Sequence, residues 1–144
     1  MKASSVLFFA FPIILFLSSG NFVKQSNASS DFMLLKSAEY DLIISKTADN
    51  TWSLTNPADS SSSDITVKPG DTVKWTAEGS DVFFQFSSAK IFGKSNYNLL
   101  NGKSLSLVVS SSAPAGTFSY SIFCSADSQF VDPNSPPRII VPRN

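Results

Sequence analysis

The sequence of 144 residues has no histidine, a single cysteine and only 15% charged residues, 11 basic against 11 acidic. Each shortage excludes a class of function. Without imidazole, a Ser-His-Asp or Cys-His catalytic centre, a zinc site of the usual histidine-containing types and a blue-copper site all lack a required group. One thiol permits neither an intrachain disulfide nor a four-cysteine cluster. A formal charge of zero argues against nucleic-acid binding, which needs clustered Lys and Arg to neutralise phosphates. A sustained 3.6-residue period is missing as well, and serine, at 28 residues, favours loops and exposed strand faces over helices.

The longest apolar run, Val6–Leu17, is twelve residues, contains Pro12, follows Met1-Lys2 and precedes Ser18-Ser19-Gly20. A membrane-spanning helix needs about twenty apolar residues, so the run reads as a secretory signal peptide over residues 1–20, with cleavage after Gly20 or as late as Ser29. This places the chain as secreted or periplasmic, with no stable membrane span. Residues 21–37 read as a polar linker carrying the sequon Asn27-Ala28-Ser29. Residues 38–144 are then one domain of ordinary size.

Within that domain, short β-type segments alternate with strong turn signals, which predicts an all-β sandwich of seven or eight strands. Tyr40–Ile44 and Trp52–Leu54 flank Ala48-Asp49-Asn50. Ile65–Val67 and Thr72–Trp75 flank Lys68-Pro69-Gly70-Asp71, where proline presets the first central position of a turn and glycine accepts positive φ at the second, predicting a tight reversal between two strands. Asn101-Gly102 between Tyr97–Leu100 and Ser104–Val109 is a strong hairpin signal. Val82–Phe86 is bulky on both faces at residues 82–84 and is expected in the interior or under a loop. In Thr117–Cys124, Phe118, Tyr120, Ile122 and Cys124 share one face and Thr117, Ser119 and Ser121 the other, the period of a half-buried strand. Arg138–Val141 closes the domain.

The order of these signals resembles the cupredoxins. Residues 65–75, Ile-Thr-Val-Lys-Pro-Gly-Asp-Thr-Val-Lys-Trp, are similar to that family's strand, turn and strand before the loop that bears the first copper histidine. Residues 115–124 are similar to the strand that delivers the copper cysteine, and residues 137–141 to the closing strand. The resemblance implies a Greek-key β-sandwich with a metal site among loops at one end. Of the trigonal ligand set of two imidazoles and a thiolate, only Cys124 is present. Asp81 and Val82 stand where the first histidine would be, Gln129 where many members carry the second, and Asn134 near the axial position. Amide and carboxylate oxygens are hard donors and do not replace imidazole for copper cycling.

Other chemistry is sparse. Cys124 in its apolar phase reads as a buried small hydrophobe with a raised pKa. Ser87-Ser88-Ala89-Lys90 matches the S-x-x-K of serine acyl-enzymes, but the supporting motifs are absent and a serine-rich chain yields such spacings by chance. The loop carboxylates Asp49, Asp59, Asp64, Glu78, Asp81, Asp127 and Asp132 lack the spacing of a calcium loop. Phe83, Phe92, Tyr97 and Phe130 fall in or beside segments 78–81, 87–96 and 125–136, which are expected to form one loop end and a binding patch there. The sequence therefore predicts a non-enzymatic binding or accessory module of the cell envelope, monomeric, with no metal or cofactor and with a protein or small-molecule partner. The alternative is an electron-transfer protein that binds copper through an atypical site around Cys124.

Overall fold

The computed structural model describes residues 36–132 and 134–143. The expected signal peptide and nearly all of the linker lie outside these residues. Among the described residues ten strands form: β1 (Glu39–Lys46), β2 (Trp52–Thr55), β3 (Ile65–Thr66), β4 (Thr72–Ala77), β5 (Val82–Phe86), β6 (Asn96–Leu99), β7 (Ser104–Val108), β8 (Gly116–Cys124), β9 (Gln129–Phe130) and β10 (Arg138–Val141). One sheet has the order β2-β1-β4-β7. The other runs β3-β10-β8-β5-β6, with β9 added to β8. The β1–β4 and β3–β10 pairs are parallel and the others antiparallel. The chain passes between sheets after β2, β3, β4, β6 and β7, which makes the architecture the Greek-key β-sandwich that the cupredoxin resemblance implies. Among the described residues no helix is long and apolar enough to cross a membrane.

Strand phase follows the sequence closely where alternation is clean. In β4 Val73, Trp75 and Ala77 are buried, and in β8 Tyr120, Ile122 and Cys124 are. Trp75 has no exposed surface and sits among Phe84, Phe86, Phe92 and Tyr120, with ring centroids 5.5, 5.8, 5.7 and 6.0 Å away. Its Nε1 donates to the Tyr120 hydroxyl at 3.2 Å, so the one polar atom of the indole is satisfied inside the core. Each such ring stabilises the fold by about 1.5–3 kcal/mol through burial alone.

Both glycine turns form, but neither makes a hairpin. At the Pro69-Gly70 turn the Asp71 amide donates to the Lys68 carbonyl at 3.0 Å and Gly70 has φ of 91°. The buried Asp71 carboxylate accepts from the Ala38 amide through Oδ1 and from the Lys68 amide through Oδ2, each at 2.8 Å. Yet β3 pairs with β10 while β4 pairs with β1 and β7, so this turn is a passage between layers. The same holds at Asn101-Gly102, where Gly102 has φ of 72°: β6 pairs with β5 and β7 with β4. A turn dipeptide fixes a local reversal; the choice of partner is made by apolar faces, and those of β6 and β7 cover the core from opposite layers.

Phe83 corrects the expectation that residues 82–84 are buried on both faces. The strand alternates strictly, Val82, Phe84 and Phe86 pointing inward, and Phe83 is 46% exposed on the outer face of the sheet.

The cysteine end and the aromatic sheet face

Cys124 lies at the end of β8, opposite Val82 of β5 on one side and Gln129 of β9 on the other. It is fully buried within the core cluster. Burial, with a smaller contribution from the nearby Asp127 carboxylate, pushes its thiol up to about 11. A thiol in that setting is a poor nucleophile at neutral pH.

The loops around it are tied together by hydrogen bonds. The Asp81 carbonyl accepts from the Ser125 amide at 3.0 Å, the Ser125 hydroxyl at 3.2 Å and the Ser80 hydroxyl at 2.7 Å. Ser80 is 3% exposed, and its oxygen also accepts from the Ala126 amide at 3.0 Å. The Asp81 carboxylate accepts from the Asn101 amide at 2.8 Å, while the Asn101 side-chain oxygen accepts from the Gly79 amide at 2.7 Å. The buried Trp52 donates its Nε1 to Asp127 at 3.0 Å, and Lys46 pairs with the same carboxylate at 2.6 Å. The Lys46 and Trp52 hydrogen bonds hold the Asp127 carboxyl below the usual carboxylate range. Segments 78–81, 100–103 and 125–128 thus form one closed end.

This end does not suit copper. The sequence supplies no imidazole, the Asp81 oxygens are engaged in loop contacts, Gln129 offers a hard amide, and Cys124 faces the apolar interior. Among the described residues no three His, Cys, Asp or Glu side chains are placed to hold a metal ion.

The structure brings Asp81, Val82, Cys124 and Gln129 together as neighbours, while Asn134 lies beside Gln129 and Phe130 in a cleft of about 450 Å³ that Thr51, Trp52, Asp132 and Ser135 complete. Phe92 and Tyr97 do not join them. Because Val82 lies opposite Cys124 and Phe86 opposite Tyr120, the segment after Phe86 leaves from the other end of the sandwich. There Phe92 packs on Trp75 and Phe86, and the Tyr97 hydroxyl donates to the Phe92 carbonyl at 2.6 Å. The expected single loop end is therefore split: 78–81 and 125–132 belong to the cysteine end, and 87–95 does not. Ser87 and Lys90 are exposed at that opposite end.

Phe83 and Phe130 instead meet through a residue outside the sequence-based candidates, Phe123. Phe83 of β5 is opposite Phe123 of β8, and Phe123 is opposite Phe130 of β9. Ring centroids are 6.4 Å and 5.2 Å apart, with interplanar angles of 48° and 64°. Phe130 is 52% exposed. The signal for Phe123 was its odd position in β8, which places it among Ser119 and Ser121 on the outer face. A second depression of about 330 Å³ lies along this row, lined also by Gln85, Asn96, Asn98 and Ser121.

No protein-family model matches the chain, and no curated protein matches it. Among solved structures it is similar to a purple cupredoxin from Nitrosopumilus maritimus, with 18% identity, 70% of this chain and 97% of that one covered, and a TM-score of 0.43. It is also similar to amicyanin: a Cu(I) form of one mutant shares 18% identity over 73% of this chain and 81% of that chain, with a TM-score of 0.40. An oxidised mutant form shares 21% identity over the same fractions, with a TM-score of 0.38.

Proposed function

We propose that this chain is a non-catalytic, cupredoxin-like binding or accessory module that acts outside the cytoplasm, as a secreted or periplasmic monomer, without bound copper. The observation that carries the reading is the contrast between two neighbouring regions. The cysteine end is closed by the Ser80, Asp81 and Ser125 hydrogen bonds around a buried thiol, while beside it Phe83 and Phe130, joined through the half-buried Phe123, and a cleft are open to solvent. Binding sites combine exposed aromatic surface with a few polar groups in a concavity, and catalysis needs titratable groups converging on one point, which this surface lacks. Gln129, Asn134, Phe83 and Phe130 belong to the binding surface; Asp81, Val82 and Cys124 are structural. Export is supported by the Val6–Leu17 run behind Lys2.

Copper titration of the full chain tests this reading. The expected result is no visible absorption that depends on the thiol. An intense band that appears with Cu(II) in the wild type and vanishes in Cys124→Ala would overturn it in favour of electron transfer through an atypical copper site.

A further inference from the structure

The outer face of the β6-β5-β8 sheet is built in two cross-strand rows. One is Asn98, Phe83, Phe123 and Phe130; the next is Asn96, Gln85 and Ser121. No ionisable side chain stands in either row. Charged side chains stand at the margins of these rows: Asp81, two residues before Phe83, accepts from the Asn101 amide at 2.8 Å, Asp132, which lines the cleft beside Phe130, accepts from the Leu54 amide at 3.4 Å, and Arg138, opposite Ser119, pairs with Asp64, whose Oδ2 accepts from Nε at 3.0 Å. From this geometry we infer that the face binds an uncharged, hydroxyl-rich chain, a neutral soluble glycan, with the phenylalanine row covering the apolar faces of sugar rings and the amide and hydroxyl row bonding their hydroxyls. The inference names the ligand of the surface proposed above and rests on that reading.

Three properties select this occupant. The rows themselves carry no charge to attract an ionic polymer of either sign, and the flanking Asp81, Asp132 and Arg138 each already hold a hydrogen-bond or ion-pair partner. A purely apolar peptide or lipid would cover Gln85, Asn96 and Ser121 without hydrogen-bond partners, which costs free energy for every group left unpaired. A second copy of the chain would find an apolar centre of only about 300 Å² in the three partly exposed rings, taking roughly 200 Å² per phenylalanine, and would bury the amides and hydroxyl around it against one another. The rings are inclined to one another by 48° and 64°, so the row is corrugated. Such a surface suits a single flexible chain, each ring taking its own sugar, and not the flat face of a crystalline polymer. Phe130 lines both the 330 Å³ depression and the 450 Å³ cleft, so the groove continues past it towards Gln129 and Asn134.

Affinity electrophoresis of the full chain in gels containing laminarin, xyloglucan, arabinoxylan or galactomannan, with polygalacturonate as the charged comparator, tests the inference. At least one neutral polymer is expected to retard the protein equally at about 20 mM and about 500 mM salt, since no ion pair is involved. Phe130→Ala and Gln85→Ala are expected to weaken that retardation about tenfold or more, and Phe130→Tyr to retain it. Both truncated side chains are exposed, and an unchanged melting curve confirms that the variants are folded. Migration unaffected by all four neutral polymers overturns the inference, as does retardation that survives both truncations, or retardation by polygalacturonate alone that salt abolishes. A copper band that depends on Cys124 overturns the underlying reading instead, and the two failures are read in different assays.

Discussion

The burial of Cys124 has a measurable consequence at alkaline pH. Its thiol is raised from an ordinary value of 9.0 to about 11, chiefly by desolvation. Below 9.0 the thiol is protonated in both the folded and the unfolded chain, and the full advantage of the neutral buried form is present. Between 9.0 and about 11 the unfolded chain releases this proton and the folded chain keeps it, so stability falls as pH rises. The slope from one such proton is about 1.4 kcal/mol per pH unit, and the whole window is worth at most about 2.7 kcal/mol. Cys124→Ala removes the titration. Its absolute stability also drops by about 1 kcal/mol through lost packing, which is independent of pH, so the informative quantity is the difference in slope. Tyr120, itself raised by burial, titrates in both proteins and cancels in that difference. Urea midpoints measured under reducing conditions from neutral pH to pH 11 should show the wild type falling towards the variant and passing below it at about pH 10. At pH 8 the thiol should also react about a hundred times more slowly with an aqueous disulfide reagent than an ordinary cysteine, because its thiolate fraction is smaller by that factor. Parallel stability curves, or labelling at the rate of a free thiol, would refute the placement of this side chain in the core.

Three further outcomes follow from single contacts. Asp71→Ala should lower stability by about 2–4 kcal/mol, because the Ala38 amide before β1 and the Lys68 amide after β3 lose charge-assisted bonds; a urea midpoint within error of the wild type would remove Asp71 from that role. Gly70→Val should cost about 1 kcal/mol or more in thermal denaturation through backbone strain at positive φ alone, since an added Cβ at Gly70 meets nothing within 4 Å. Tyr120→Phe should cost about 1–3 kcal/mol by leaving the buried Trp75 N–H without its acceptor, and a shift in tryptophan fluorescence should accompany the loss.

How much of this was legible in the sequence differs from element to element. The alternation in β8 placed Tyr120, Ile122 and Cys124 correctly, because a period of two is a local property of strands. The conformations of the Pro69-Gly70 and Asn101-Gly102 turns were legible for the same reason. Their pairing consequences were not, since a turn says nothing about which sheet receives the next strand. Phe83 looked interior because bulk on both faces of a strand normally means double burial, yet its neighbours across the sheet are aromatic and polar residues on a solvent face. Ser80 carried no signal at all. Its role as the buried hydroxyl that joins 78–81 to 125–128 depends on two segments more than forty residues apart in sequence, as its bond to the Ala126 amide shows. β9 was equally silent: it forms because the Ser125–Ser128 turn lays Gln129 and Phe130 beside β8, with Ser128 at φ of 52°.

The distribution of charge over the two sheets bears on what selects the outer residues. On the β1 and β4 face, Lys74 bonds Asp41 at 2.8 Å and lies 3.8 Å from Glu39, the mixed charged surface expected of a sheet that faces water. The opposite face places amides, hydroxyls and three phenylalanines at the corresponding exposed positions. Folding does not require this difference, because exposed strand positions contribute little to the core and tolerate charge readily. Nor does it aid solubility, since Phe83 and Phe130 are half-exposed where lysine or glutamate would serve better. The aromatic row itself is free of charge, whereas ion pairs run across the β1 and β4 face and the Arg138–Asp64 pair stands beyond the row; the contact proposed for this face would account for that difference. The hydrogen-bonding amides beside the row match the hydroxyl-bearing partner proposed above.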